Sequence, residues 1–190
     1  GVKLRESIPY FIVSVNVSAT QLLSPGFLNF VSKALSESGL EPNGLSIEIT
    51  EYVVLKDVNA AVEVLQGLRA LGVWIAIDDF GTGYSSLSLL QKFPIQRLKI
   101  DRSFVNGVAD DLSARSLVRT IIAMGDSLGL DMVAEGVESV RQLQALAELR
   151  CAKAQGYLIS HPVAPESMGA TVASLTQFGE WAKLRGRSPR

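Results

Sequence analysis

Asn16, Glu48, the doubled Asp78-Asp79, Lys99 with Asp101, Glu135 and Gln155 can each bind a metal ion or move a proton, and each follows a short apolar run. Asn16, Glu48, Asp78 and Asp79 form an oxygen-rich set. Hard divalent cations such as Mg2+ or Mn2+ take oxygen ligands in octahedral geometry and retain several waters. A doubled aspartate lets one carboxylate bridge two ions while its neighbour holds the second. Two ions roughly 3.5–4 Å apart clamp the attacking and leaving oxygens of a phosphodiester during in-line displacement. Lys99 then suits orienting a nucleophilic water or stabilising phosphoryl charge, and Glu135 suits ligation or proton acceptance. Any one of these carboxylates is equally explained as a helix N-cap in a strand-to-helix loop. The whole set, at one end of successive strands, is not.

Such a set works only if a scaffold gathers the strand ends. Short β-rich runs at 11–17, 45–49, 73–77, 97–100, 132–134 and 154–159 alternate with apolar residues at helical spacing. Ala60, Val62, Leu65, Leu68 and Leu71 form one helical stripe, and Leu117, Val118, Ile121, Ile122 and Leu128 another. Pro25-Gly26 opens a helix, Gly39 and Gly129 fall where helices stop, and Pro165 begins the last one. The strand runs are near-continuously apolar, as in parallel strands covered on both faces. An open doubly wound sheet and a closed (β/α)8 barrel both fit strand–helix alternation. Only a barrel brings every strand end to one face, whereas an open sheet spreads them along a line. All six strands contribute a polar end, so the fold expected is α/β, a TIM-like (β/α)8 barrel, here incomplete with about six βα units. No glycine-rich nucleotide fingerprint follows the first strand.

The stretch Asp78-Asp79-Phe80-Gly81-Thr82-Gly83-Tyr84-Ser85-Ser86 reads as a mobile loop over the site, with a serine as the next N-cap. His161 is the single histidine and lies beyond the last strand, which leaves no basis for a histidine zinc site or a Ser-His-Asp triad. Cys151 reads as a small buried apolar residue, and Trp74 and Trp181 as packing residues. The 190 residues are 47% apolar, with 18 basic and 19 acidic side chains and a net charge of −1. That composition excludes a disordered or collagen-like chain. The charge balance gives no general attraction for nucleic acid or an anionic membrane. One cysteine permits no intramolecular disulfide, so a reducing, cytoplasmic setting is expected. No apolar run reaches the roughly 20 residues that span a bilayer. The chain begins at Gly1 rather than Met and reads as part of something longer.

Six ordered motifs resemble those of EAL domains: Val15-Asn16-Val17-Ser18, Glu48-Ile49-Thr50-Glu51, the segment from Asp78 to Ser86, Lys99-Ile100-Asp101-Arg102-Ser103-Phe104, Ala134-Glu135-Gly136-Val137-Glu138 and Ala154-Gln155-Gly156-Tyr157. The resemblance runs from about residue 13 to residue 162. It implies a bacterial phosphodiesterase that hydrolyses cyclic di-GMP to linear pGpG with two Mg2+ or Mn2+ ions in a modified TIM barrel. Position by position, it implies that Asn16, Glu48 and Asp78 bind the first ion and that Asp78 bridges to the second, with Asp79 beside it. Lys99 would position the catalytic water, Glu135 would ligate through water or act as base, and Gln155 would hold a water near the metals. Glu51 would anchor the glycine loop of Phe80, Gly81, Thr82 and Gly83, which in this family couples the site to dimerisation; Asp101 joins these substrate-side residues.

The Glu-x-Leu tripeptide that names the family does not precede residue 11. Arg150 stands where glycine is usual, and His161 where a basic residue commonly precedes proline. The expected layout is therefore the C-terminal three-quarters of such a domain over residues 1–184, with a basic flexible tail over 185–190. Expected partners are cyclic di-GMP, a second copy in a homodimer, and sensory or diguanylate-cyclase-like domains of a parent that could itself be membrane-anchored. The piece alone is expected to be inactive, with unpaired strand edges. A non-catalytic cyclic di-GMP receptor is the alternative.

Overall fold

The apolar runs form parallel strands whose two faces do different work. The computed structural model describes residues 11–51, 57–81 and 90–175. Six strands lie side by side in chain order: β1 (Val13–Asn16), β2 (Leu45–Thr50), β3 (Trp74–Phe80), β4 (Arg97–Ile100), β5 (Asp131–Ala134) and β6 (Lys153–Ala154). Every pairing is parallel. Among the described residues the order never reverses, so these strands show no switch point of the doubly wound kind. The result is a six-stranded parallel half-barrel with helices outside it, the expected architecture.

Helices α1 (Ala19–Leu22), α2 (Phe27–Ser38), α3 (Val58–Leu71), α4 (Arg102–Asn106), α5 (Leu112–Ser127), α6 (Val140–Glu148) and α7 (Met168–Leu175) connect or follow the strands. Their starts are capped as their sequences dictate. Asp57 accepts from Ala60 N–H at 3.1 Å, Asp111 from Ser113 N–H at 2.7 Å, and Ser139 forms a capping box with Gln142. The core lies between sheet and helices. Ile47, Ile49, Ile75, Ile77, Leu98, Ile100 and Met132 meet Ala61, Leu65, Leu68, Val118, Ile122 and Leu146 there. Each large side chain buried this fully contributes about 1.5–3 kcal/mol.

The opposite, concave face is polar. Successive strand residues point to opposite faces, and register partners share a face. Asn16 pairs with Glu48, and Glu48 with Ala76, two residues before Asp78. Ala76 pairs with Arg97, two before Lys99; Lys99 pairs with Val133, two before Glu135; Val133 pairs with Lys153, two before Gln155. All six polar strand-end residues therefore share the concave face along one diagonal. A lower layer on that face is also charged. Arg97 donates to Asp131 at 2.9 Å and lies 5.3 Å from the centre of the Trp74 ring, and Lys153 pairs with the same Asp131.

Two strand boundaries differ from expectation. The sixth run, expected over 154–159, is a strand only at Lys153–Ala154. Ile159 N–H and Ser160 N–H both donate to the Gly156 carbonyl, which closes a turn where apolar residues alone suggested extension. The third strand runs past 77 to Phe80, so both aspartates lie within it. Thr82, Gly83, Ser85, Ser86, Trp181 and the expected tail lie outside the described residues.

Helix α6 ends in a Schellman turn: Cys151 N–H donates to Leu146 O and Arg150 N–H to Ala147 O. This geometry puts exposed Arg150 at φ 63°, a left-handed conformation that suits glycine. Arg150→Gly should therefore raise unfolding free energy by about 1 kcal/mol, net of the entropy glycine adds to the unfolded chain. Urea denaturation measures this; an unchanged or lower midpoint contradicts it.

Candidate functional site

Lys99 stands at the centre of the upper concave face. Its ammonium donates to Glu48 Oε2 at 2.6 Å and Glu135 Oε1 at 2.6 Å, and lies 3.0 Å from Asp78 Oδ1. The side chain is 5% exposed, and those of its three partners no more than 16%. Four strands, β2 to β5, thus each deliver one charged group to a single point.

A regular strand could not supply Asp79 to that point as well, because neighbouring residues face opposite ways. The register of β3 against β4 slips between Ile77 and Phe80. Ile77 pairs with Leu98, yet Ile100 pairs with Phe80 rather than Asp79. One extra residue is accommodated as a bulge, and Asp79 takes a left-handed φ of 52°. For a non-glycine residue that conformation costs about 1–2 kcal/mol. Its effect is to put carboxylate oxygens of Asp78, Asp79 and Glu135 within 4.8 Å of one another. The bulge also carries Phe80 to the helix side, where it joins the hydrophobic core. One feature of the residue types announces this bulge. The signal was the pair of aspartates itself, since two adjacent acids share a strand face only if the strand is irregular.

The next residues hold the bulge. Gly81, at φ 99°, donates its N–H to Glu51 Oε2 at 3.3 Å, and Glu51 is buried. Asp101 caps α4 by accepting from Ser103 N–H at 2.9 Å, and its carboxyl hydrogen-bonds with that of Asp79. Asn16 is exposed on the outer strand β1, in register with Glu48. Gln155 is exposed; its main chain bonds Ala134 O and Val137 N–H. The ion pairs and short carboxylate distances gather Glu48, Asp78, Asp79, Lys99 and Glu135, whereas Asn16 and Gln155 flank them.

Four carboxylates face one ammonium, and their protonation reflects it. Burial works against the Lys99 charge, yet its hydrogen bonds to Glu135 and Glu48 hold it above the usual lysine range. Burial pushes Glu135 up to about 7, with Asp78 adding to the rise and Lys99 opposing it. Asp79 is raised by burial and by the charges of Asp78 and Asp101. Burial also acts upward on Asp101, but its hydrogen bonds with Ser103 and Asp79 bring it below the ordinary value. Like charges about 4 Å apart repel by about 4 kcal/mol at a typical effective protein dielectric. An all-oxygen, partly buried and over-acidic cluster of this kind suits hard divalent cations.

The chain matches the EAL domain family model over residues 2–162. It is 44% identical over 161 residues to the bifunctional diguanylate cyclase/cyclic di-GMP phosphodiesterase MucR of Pseudomonas aeruginosa, covering 85% of this chain and 24% of MucR. The solved complex of PaMucR phosphodiesterase with c-di-GMP superposes with a TM-score of 0.83 and 41% identity, over 88% of this chain and 68% of that one. The EAL domain of Mycobacterium smegmatis DcpA gives 0.78 and 40%, over 94% and 75% of the two chains. The manganese/cy-diGMP complex of Klebsiella pneumoniae BlrP1 gives 0.77 and 31%, over 84% and 41%. A half-barrel with a polar concave face defines the class, a TIM-like α/β domain with its site at the strand ends. Within that class, this chain belongs to the EAL domain family. It spans about a quarter of the length of the first curated relatives it matches. Among the described residues no helix is long and apolar enough to cross a membrane.

The raised Asp79 carboxyl yields a direct expectation. An acid whose folded pKa exceeds its unfolded one opposes folding once ionised, and the penalty fades as pH falls through the folded value. Asp79→Asn removes that charge and keeps a donor toward Asp101, so at neutral pH in EDTA it should raise Tm while abolishing stabilisation by added Mn2+. Calorimetry with and without Mn2+ decides; a lower Tm in EDTA contradicts the repulsion.

Proposed function

We propose that this domain hydrolyses cyclic di-GMP to linear pGpG. The observation that carries the reading is the convergence of Glu48, Asp78 and Glu135 on one buried lysine, with Asp79 turned to the same side. Relatives named as cyclic di-GMP phosphodiesterases or solved with that ligand share the fold and family. The donor set fits two Mg2+ or Mn2+ ions: Asn16, Glu48 and Asp78 for the first, Asp78 and Asp79 for the second. When bound, such ions would supply Lewis acidity to an attacking water and neutralise charge on the phosphodiester.

The chain's own groups have distinct tasks. Lys99, held protonated by N–H bonds to Glu48 and Glu135, stabilises negative charge on the water or a phosphoryl oxygen beside it. Glu135 lies on the far side of Lys99 from β2 and accepts a proton or a water hydrogen bond. Gln155 holds a water at the rim. Glu51 fixes the main chain at Gly81, so the bulge keeps its shape while the loop beyond it handles substrate. Dimerisation through that loop, and fusion to sensory or cyclase-like domains, belong to the same proposal, as does a cytoplasmic setting for this domain.

The alternative is a receptor that binds cyclic di-GMP without cleaving it, since family neighbours have been solved with that ligand bound. One experiment separates the two. With Mn2+ and cyclic di-GMP, the protein should release pGpG, and Asp78→Ala should reduce the rate by at least roughly 100-fold. Tight cyclic di-GMP binding by calorimetry, without turnover above that of Asp78→Ala, would establish the receptor.

A further inference from the structure

The bulge at Asp78-Asp79 is held from more than one direction, and one of its supports is apolar. Gly81 follows the bulge at φ 99°, and the space where its Cβ would stand is taken by the Phe104 ring. An ideal Cβ there would lie 2.7 Å from Phe104 Cε2 and 3.0 Å from Cζ. Phe104 sits on α4, one short turn after Asp101, and its N–H donates to the Asp101 carbonyl at 3.1 Å. The neighbouring Val105 is fully buried and ties that turn to the core. A single rigid turn after β4 therefore touches the bulged strand twice. The Asp101 carboxyl meets Asp79, and the Phe104 ring meets Gly81 two residues later. From the other side, Glu51 of the turn ending β2 takes the Gly81 N–H.

We propose that Phe104 is a positioning residue. Its ring, wedged against Gly81, holds the left-handed turn at Asp79 and so keeps the Asp79 carboxylate beside Asp78 and Glu135. The argument is one of constraint. A left-handed aspartate relaxes toward ordinary strand geometry unless its neighbours prevent it. Relaxation would restore strand alternation and turn Asp79 away from the concave face. Hydrogen bonds to Asp79 and Gly81 restrain direction but leave a void beside the glycine; the ring fills that void. Its influence passes through the contact with Gly81.

This inference rests on the metal-dependent reading above, and the test keeps the two apart. Free Mn2+ is counted by electron paramagnetic resonance during titration of the protein, of Phe104→Ala, of Phe104→Met and of Asp79→Ala, each first shown folded by circular dichroism. Removing a support of this kind weakens metal affinity by roughly 10- to 100-fold. Phe104→Ala should show that loss. Phe104→Met, which keeps reach and volume, should lose no more than about threefold. With cyclic di-GMP at subsaturating Mn2+, kcat should fall in parallel while KM holds. Unweakened Mn2+ binding in Phe104→Ala overturns the wedge and leaves the functional reading intact. If Phe104→Ala does not fold, loss in Phe104→Met equal to that of Asp79→Ala overturns it instead. Absence of Mn2+ binding by the unaltered protein overturns the functional reading, and the wedge with it.

Discussion

A buried lysine surrounded by acids is the constraint from which the rest of the structure follows. Glu48, Asp78 and Lys99 come from β2, β3 and β4, and Glu135 from the residue just after β5. Their charges are tolerable together because Lys99 is positive and held so by its partners. Truncating Lys99 would leave its three carboxylate partners buried and unpaired, at a cost of about 3–5 kcal/mol. The strand pairings must therefore be correct to the residue, and the core on the helix side supplies the rigidity. Ile47, Ile49, Ile75, Ile77, Leu98 and Ile100 anchor the same strands from behind. Apolar burial on one face underwrites charge concentration on the other.

Asp79 is the exception, a fourth carboxylate added to a cluster in which three already face one ammonium. It is present only because β3 carries an extra residue and accepts a left-handed aspartate. Local stability has been surrendered there, in conformation and in repulsion, for a carboxylate that the regular strand would have hidden. Arg150 shows the other kind of strained position: its left-handed φ closes the end of α6.

Much of this could be read from residue order. Alternating apolar textures predicted the six parallel strands, and a polar residue at the end of each predicted a shared face. Asn16, Glu48, Asp78, Lys99, Glu135 and Gln155 do share that face by register. What residue types did not disclose was three-dimensional. Phe80 was grouped with the loop, but the bulge sends it into the core, because an inserted residue reverses every side chain after it. The sixth strand was drawn too long, because Tyr157, Leu158 and Ile159 look equally at home in a strand and in a turn closed on the Gly156 carbonyl. The pairing of Arg97 with Asp131 beneath the site was also invisible, since a charge inside a strand declares no partner until the register is known.

The diagonal of site residues across the sheet also governs how such a domain can change over evolutionary time. Glu48 to Asp78 and Lys99 to Glu135 each step two residues past the register partner, whereas Asn16 to Glu48, Asp78 to Lys99 and Glu135 to Gln155 run straight across. An even offset preserves the face and an odd one destroys it. Lengths are thus free to drift in the segments that lead from helix to next strand, at the far end of the sheet. Inside the strands, insertions and deletions survive only in pairs, or singly where a bulge absorbs them. At the doubled aspartate of β3 a bulge absorbs one extra residue and brings both carboxylates to the site side.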